Sequence, residues 1–370
     1  MGEWIQYRIG DIGNFSYGKM PKKDKLNSGN YPTFSGYKYQ YTYPEFNCNK
    51  GDLIVVARGV GGTGDVKVIK EDCFLTNLSL KMDFDKNIVD NKFIYYYYAI
   101  ETLRYLDSGS AQSQITINDL SDAFITLPPL EEQKAIAEVL SSLDDKIDLL
   151  HRQNKTLEEL AQTLFRQWFK ESDFNSTIGN IVNLQSGYAF KSKDFQDFGN
   201  NLVIKIKNIS NSIVNISESD FIDDNVAIRT DEKFKINSGD ILFAMTGAEI
   251  GKMGIVPNTD KNLWLNQRVG MLREKFNGAC FLAYLHLTSE FGYDYIINTA
   301  SGSAQPNISA TDIENCPFAE LDKDEIEKYS KIISPMFEKI IFSLGQIKTL
   351  ENMRDTLLPK LMSGEVKVNY

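Results

Sequence analysis

Apolar residues recur along this chain at two different periods. Ile136, Leu140, Leu143, Ile147, Leu150, Asn154, Leu157, Ala161, Leu164 and Trp168 are separated by alternating steps of four and three. This 3.5-residue repeat keeps one seam of a helix against a partner helix. Adding 193 to each number gives Tyr329, Ile333, Met336, Ile340, Ser343, Ile347, Leu350, Arg354, Leu357 and Leu361, the same seam with polar lapses at Ser343 and Arg354. Pro129 suits a helix start, whereas Pro359 points to a kink or an early end in the second copy. A helix of forty residues spans about 60 Å. The intervening segment brings the chain back, so an antiparallel pair is expected.

The rest of the chain reads as strands. Leu53-Ile54-Val55-Val56-Ala57 and Ile241-Leu242-Phe243-Ala244-Met245 are short apolar runs preceded by Gly-Asp, as buried strands are. Phe93 to Leu106 and Phe281 to Ile297 are aromatic-rich with helical periodicity. These patterns predict an α+β fold with a domain at residues 1–130 and a spacer helix at 131–172. A second domain follows at 173–322, and a second spacer helix at 323–370.

The chain is written twice. Asn49-Lys50-Gly51-Asp52-Leu53-Ile54 returns as Asn237-Ser238-Gly239-Asp240-Ile241-Leu242. Ser108-Gly109-Ser110-Ala111-Gln112 returns as Ser301-Gly302-Ser303-Ala304-Gln305, and Lys155-Thr156-Leu157-Glu158 as Lys348-Thr349-Leu350-Glu351. Order is preserved at all three stations, and outside them the copies diverge strongly.

Net charge is −10, a mild argument against nucleic acid, but it is unevenly spread. Residues 1–130 carry −1, 131–173 carry −4, 174–322 carry −6 and the remainder +1. Any nucleic-acid surface must therefore be a local cluster. The cysteines at 48, 73, 280 and 316 lack the short spacings of a zinc site and read as reduced structural residues. No apolar run has membrane length, and the amino terminus lacks the pattern of a secretion signal, so cytoplasmic placement is expected.

Leu127-Pro128-Pro129-Leu130-Glu131-Glu132-Gln133-Lys134-Ala135-Ile136-Ala137 closely resembles the entry to the central helix of type I restriction–modification specificity subunits. Leu157-Glu158-Glu159-Leu160 through Trp168-Phe169 resembles its end. The Gly-Asp-Leu/Ile stations, the Gly-Ser-x-Gln loop and the tandem duplication complete the likeness. The second copy departs from it, with Leu321-Asp322-Lys323-Asp324-Glu325 in place of the Pro-Pro-Leu-Glu-Glu-Gln signature.

The resemblance implies two duplicated α/β target recognition domains separated by two long antiparallel coiled-coil helices, related by a pseudo-two-fold axis. Each domain would read one half of a bipartite, asymmetric site on double-stranded DNA. The helices would set the spacer and dock two methyltransferase subunits and, in a nuclease, two restriction subunits. This chain itself would bind no cofactor; S-adenosylmethionine, ATP and magnesium would belong to the partners. Two modules on such a ruler would meet DNA about 34–36 Å apart.

Base edges are read by Arg, Lys, Asn, Gln, Ser and Thr, and phosphates are held by Lys and Arg. Such residues in glycine-rich loops present in both copies are the candidate contacts. In the first copy these are Lys19, Lys38, Arg58, Thr63, Asn77, Ser110, Gln112, Ser113 and Gln114. In the second they are Lys191, Lys205, Lys207, Thr246, Lys252, Asn266, Gln267, Arg268, Ser303, Gln305 and Asn307. Asn266-Gln267-Arg268 answers Thr76-Asn77-Leu78 in position.

Other functions fit less well. Gly59-Val60-Gly61-Gly62-Thr63-Gly64 matches a dinucleotide fingerprint, but Asp65-Val66-Lys67-Val68-Ile69 continues as a strand where that fingerprint needs a helix. The two histidines, His151 and His286, have no nucleophile or metal partner in sequence. The remaining rivals are the specificity module of a methylation-only or other phage-defence system, and a coiled-coil scaffold that does not bind DNA.

Overall fold

The run Leu53–Val56 is apolar at every position because both of its faces are covered. Successive side chains of a strand point to opposite faces. Leu53 and Val55 join a core with Ile9, Leu80, Met82, Phe93 and Ile136, while Ile54 and Val56 pack with Phe34, Ile69 and Leu75. In the computed structural model of the chain, residues 4–59, 62–107, 113–302 and 306–368 are described. They divide into two compact units, residues 1–146 with 350–370, and residues 147–349.

In the first unit, Leu53–Val56 lies inside an antiparallel sheet ordered Gly13–Tyr17, Ser79–Phe84, Leu53–Val56, Val66–Val68. A three-stranded sheet of Lys38–Tyr43, Tyr31–Ser35 and Phe74–Leu75 covers its other side. Cys48 and Cys73, distant in sequence, are buried neighbours here whose backbones exchange hydrogen bonds of 3.1 and 2.9 Å, and both thiols are free.

The second unit repeats the first sheet in the order Val182–Ser186, Val269–Glu274, Ile241–Ala244, Met253–Ile255. Ser212–Val214 and Ile209–Ser210 extend it, and a separate five-stranded sheet is built around Asn201–Ile204 and Asn262–Leu265. The Gly-Asp stations owe their recurrence to turn chemistry. Gly51 and Gly239 sit at φ +89° and +88°, where a Cβ is strained. The next carboxylates, Asp52 and Asp240, accept from the amides of Asn49 and Asn237 at 2.7 Å in both copies.

The seam residues lie on two continuous helices, Leu130–Trp168 and Lys323–Met362. Pro129 accepts the first helical bond, from the Gln133 amide at 3.0 Å. Pro359 does not end the second helix, which continues to Met362. Its lost donor falls in the last turns, where Ser363 N still bonds to the Pro359 carbonyl at 3.0 Å.

Within the first unit, Ile136 and Leu140 share a core with Leu361 and Met362, and Arg354 bonds Asp144 at 2.9 Å. Within the second, the Trp168 ring lies 4.6 Å from that of Tyr329. In the first unit a rising number on one helix meets a falling number on the other, so the pairing there is antiparallel. No seam residue is exposed: Ile136, Leu140, Ile147, Leu150, Ile333, Ile340 and Ile347 are buried, and Leu143, Leu157, Leu164, Leu350 and Leu357 are partly so. The same helices also pack on the domain cores, so two kinds of burial share one stripe.

The lapse at Arg354 has a partner. Asp144 accepts from Arg354 and, at 2.6 Å, from the hydroxyl of Tyr96 on the helix Asn91–Ile100. Burial and the Asp144 carboxylate hold the Tyr96 phenol far above its ordinary value, so it stays a donor. The sequence repeat matches Tyr96, Asp144 and Arg354 with Tyr284, Phe337 and Ala161. In the second unit Phe337 instead stacks on Phe281 at 4.6 Å and meets Tyr284 edge-on at 5.6 Å, while the Tyr284 hydroxyl donates to Glu158 at 2.7 Å. Among the described residues no helix is long and apolar enough to cross a membrane.

Candidate nucleic-acid interface

One backbone frame is built twice, from four separate segments of each unit. In the first unit, Gly18 N bonds to Ser79 O at 3.1 Å and Lys19 N to Leu75 O at 2.9 Å. Ala57 N bonds to Leu78 O at 2.9 Å, and Ile115 N to Ala57 O at 2.9 Å. In the second unit the matching bonds run from Gly187 to Val269 (3.1 Å), Tyr188 to Leu265 (2.8 Å), Met245 to Arg268 (3.1 Å) and Ile308 to Met245 (3.1 Å). Isolated bridges agree: Lys19 with Thr76 and Arg58 with Gln114, against Tyr188 with Asn266 and Thr246 with Asn307.

Close approach makes glycine necessary at one corner of the frame. A Cβ on Gly18 would lie 2.3 Å from the Thr76 oxygen, and one on Gly187 2.2 Å from that of Asn266. The segment closing the frame enters a short helix through the same capping box in both units, Thr116 with Asp119 and Ser309 with Asp312.

The frame repeats while its side chains differ. Tyr17, Lys19, Arg58, Thr76, Leu78 and Gln114 stand where the second unit has Ser186, Tyr188, Thr246, Asn266, Arg268 and Asn307. Lys19, Gln267, Arg268 and Asn307 are exposed, and Arg58, Asn77, Ser113, Gln114, Thr246 and Asn266 are half-buried. The Arg58 guanidinium carbon lies 5.7 Å from the centre of the Tyr17 ring. Ser113 and the Gln114 amide both donate to Asp107, the latter at 3.0 Å.

Other candidates lie apart from the frame or are engaged elsewhere. Thr63 is buried, and its hydroxyl donates to the Gly59 carbonyl at 3.0 Å, shaping its loop from within. Lys205 and Lys207 converge on Asp220 at 2.6 and 2.9 Å. Burial opposes the charge of Asp220, yet the bonds from the two lysines hold its carboxyl below the ordinary range. Lys252 pairs with Glu249. Lys38, 5.8 Å from the Tyr37 ring, and Lys191 are exposed. Ser110, Gln112, Ser303 and Gln305 lie outside the described residues.

Tyr17 and Tyr188 escaped sequence reasoning. Only Gly18 and Gly187 coincide in the two copies of this corner, at an offset unlike the others, so the sequence carried little signal for either tyrosine. The strand Val66–Val68 follows the glycine-rich loop where a dinucleotide site needs a helix. Among the described residues no three His, Cys, Asp or Glu side chains are placed to hold a metal ion.

The sequence profile of the type I restriction modification DNA specificity domain matches residues 1–159 and again 171–352. The chain belongs to the type I specificity-subunit family. Its relatives include the MjaIX specificity subunit of Methanocaldococcus jannaschii, 27% identical over 99% of this chain and 94% of the relative. Another is the HindI specificity subunit of Haemophilus influenzae, 22% identical over 99% and 100%. The fold matches the crystal structure of a type I S subunit from M. genitalium, with a TM-score of 0.69 and 20% identity over 97% of this chain and 96% of that one. As a specificity subunit, the chain is the non-catalytic component of a restriction–modification enzyme.

Proposed function

We propose that each unit reads one half of a bipartite, asymmetric site on double-stranded DNA through its four-segment frame. The observation that carries this reading is the pairing of identical backbone bonds with unlike side chains, Arg58 and Gln114 against Thr246 and Asn307. A shared frame docks the same way on a duplex, and divergent side chains then select different bases. The paired helices serve as the spacer and as the dock for two methyltransferase subunits and, where a nuclease is assembled, two restriction subunits. S-adenosylmethionine, ATP and magnesium are assigned to those partners.

The decisive experiment is methylome sequencing of the host with and without this chain. A two-part methylated motif is expected to vanish on deletion. An unchanged methylome overturns the reading in favour of a scaffold that does not select DNA.

The ion-pair geometry yields a second expected outcome. Asp220→Asn releases Lys205 and Lys207, which then bind phosphate if that surface faces the duplex. The slope of log affinity against log salt should steepen by about one to two, and affinity for random-sequence duplex should rise at low salt. Fluorescence anisotropy across a salt series measures both. Identical slopes for the variant and the parent chain remove these lysines from the interface.

A further inference from the structure

Arg58 is fixed in place with one buried donor unmet among the described residues. Its backbone is fixed on both sides, by the bond from its amide to Leu78 O at 3.0 Å and by the bridge to Gln114. Its guanidinium carbon lies 5.7 Å from the Tyr17 ring centre, within cation–π range. Its Nε is buried with no hydrogen-bond partner among the described residues. Most buried donors are satisfied within the protein, because an unmet donor is costly. Here the Nε is desolvated without an acceptor among the described residues, while the side chain as a whole is half-buried.

We infer that Tyr17 is a positioning residue that presents the Arg58 fork to a guanine in the half-site read by the first unit. The inference rests on the DNA-reading function proposed above. Guanine is the base that suits a fixed guanidinium, since its O6 and N7 accept two parallel hydrogen bonds in the major groove. Lysine in the same place is a point charge and does not reproduce that fork. The Tyr17 ring limits the directions available to the guanidinium, so less freedom is lost on binding. The second unit has Ser186 and Thr246 at these two positions, so its half-site is read without this contact. The two halves of the target therefore differ in kind, one anchored by an arginine fork and the other read by shorter polar side chains.

The test uses the chain assembled with its methyltransferase subunits and duplexes carrying the motif found by methylome sequencing. Each guanine is replaced in turn by 7-deazaguanine, which lacks the N7 acceptor. One guanine, confined to one half, should lower affinity about tenfold when replaced, in keeping with the worth of a bidentate base contact. In the Arg58→Ala complex that penalty should disappear while the other half keeps its preferences. Tyr17→Phe should retain the penalty and Tyr17→Leu should reduce it, a difference that a merely structural role for the ring does not produce.

A 7-deazaguanine penalty unchanged in Arg58→Ala overturns the inference. So does a motif without guanine in either half, or equal weakening on every sequence with a shallower salt slope, which marks a phosphate contact. Absence of any two-part motif instead fails the underlying function, and the two failures are thereby distinguished.

Discussion

Phe337→Ala is expected to destabilise the second unit by about 3–5 kcal/mol, the range for removing a fully buried phenylalanine. The Phe337 side chain is completely buried on the second long helix. Its ring lies parallel to Phe281, with centres 4.6 Å apart, and edge-on to Tyr284. Truncation loses both ring contacts and leaves a cavity between the seam and the helix Ala279–Leu287.

Neighbours explain why no polar substitute serves. The other unit carries Asp144 at this station, answered by Arg354, but the residue matching Arg354 here is Ala161, itself fully buried. Phe337→Asp would therefore bury a carboxylate without a cation. Phe337→Leu keeps most of the volume and should cost less than about 1.5 kcal/mol. Hydrogen exchange reads the effect locally: protection of amides 280–287 should fall by about two to four decades in the alanine variant. A loss below one decade would mean that this contact does not hold the domain to its helix.

Acid should weaken the same unit through His286. This imidazole is enclosed by the rings of Phe165, Phe174, Phe291 and Phe318, with centres 4.8 to 6.1 Å away. Its Nε2 lies 2.8 Å from the Pro317 carbonyl, which assigns the proton to that nitrogen. Burial lowers the pKa to about 4, and the bond to the Pro317 carbonyl only partly opposes it.

The unfolded chain takes up the imidazole proton near pH 6.5 and the folded chain only near pH 4, so unfolding binds a proton between these values. The stability from neutral His286 is complete above pH 6.5 and is lost as pH falls toward 4. The loss is about 1.4 kcal/mol per unit, on the order of 3 kcal/mol in all. His286→Gln keeps a donor for Pro317 without titrating. Urea unfolding at pH 7.5 and 4.5 should show a fall in stability about 2–3 kcal/mol smaller in the glutamine variant than in the parent. Equal acid sensitivity would place the titration elsewhere.

The environment of His286 also shows where reading residues in order falls short. Its apolar helical run was plain in sequence, but the phenylalanines around it come from both sides of the unit. The same holds for Cys48 and Cys73, which no spacing rule pairs, and for Lys205 and Lys207, whose shared carboxylate lies on the later strand Asp220–Ile222. Thr63 belongs to a loop rich in candidate contacts, yet its hydroxyl turns inward to Gly59. A polar residue's type says what it can bond, and only its surroundings say whether that capacity is already used.

By itself the sequence determined the duplication, the strand-rich modules and the two helices that follow them. Those features depend on local periodicity and on turns that demand glycine, and both are written into neighbouring residues. The tertiary structure alone decided that Tyr17, Arg58, Leu78 and Gln114 meet, and that Asp144 answers Arg354 while Phe337 needs no such answer. Such contacts join segments far apart along the chain, and their geometry follows from strand order and helix register, which depend on the packing of the whole unit.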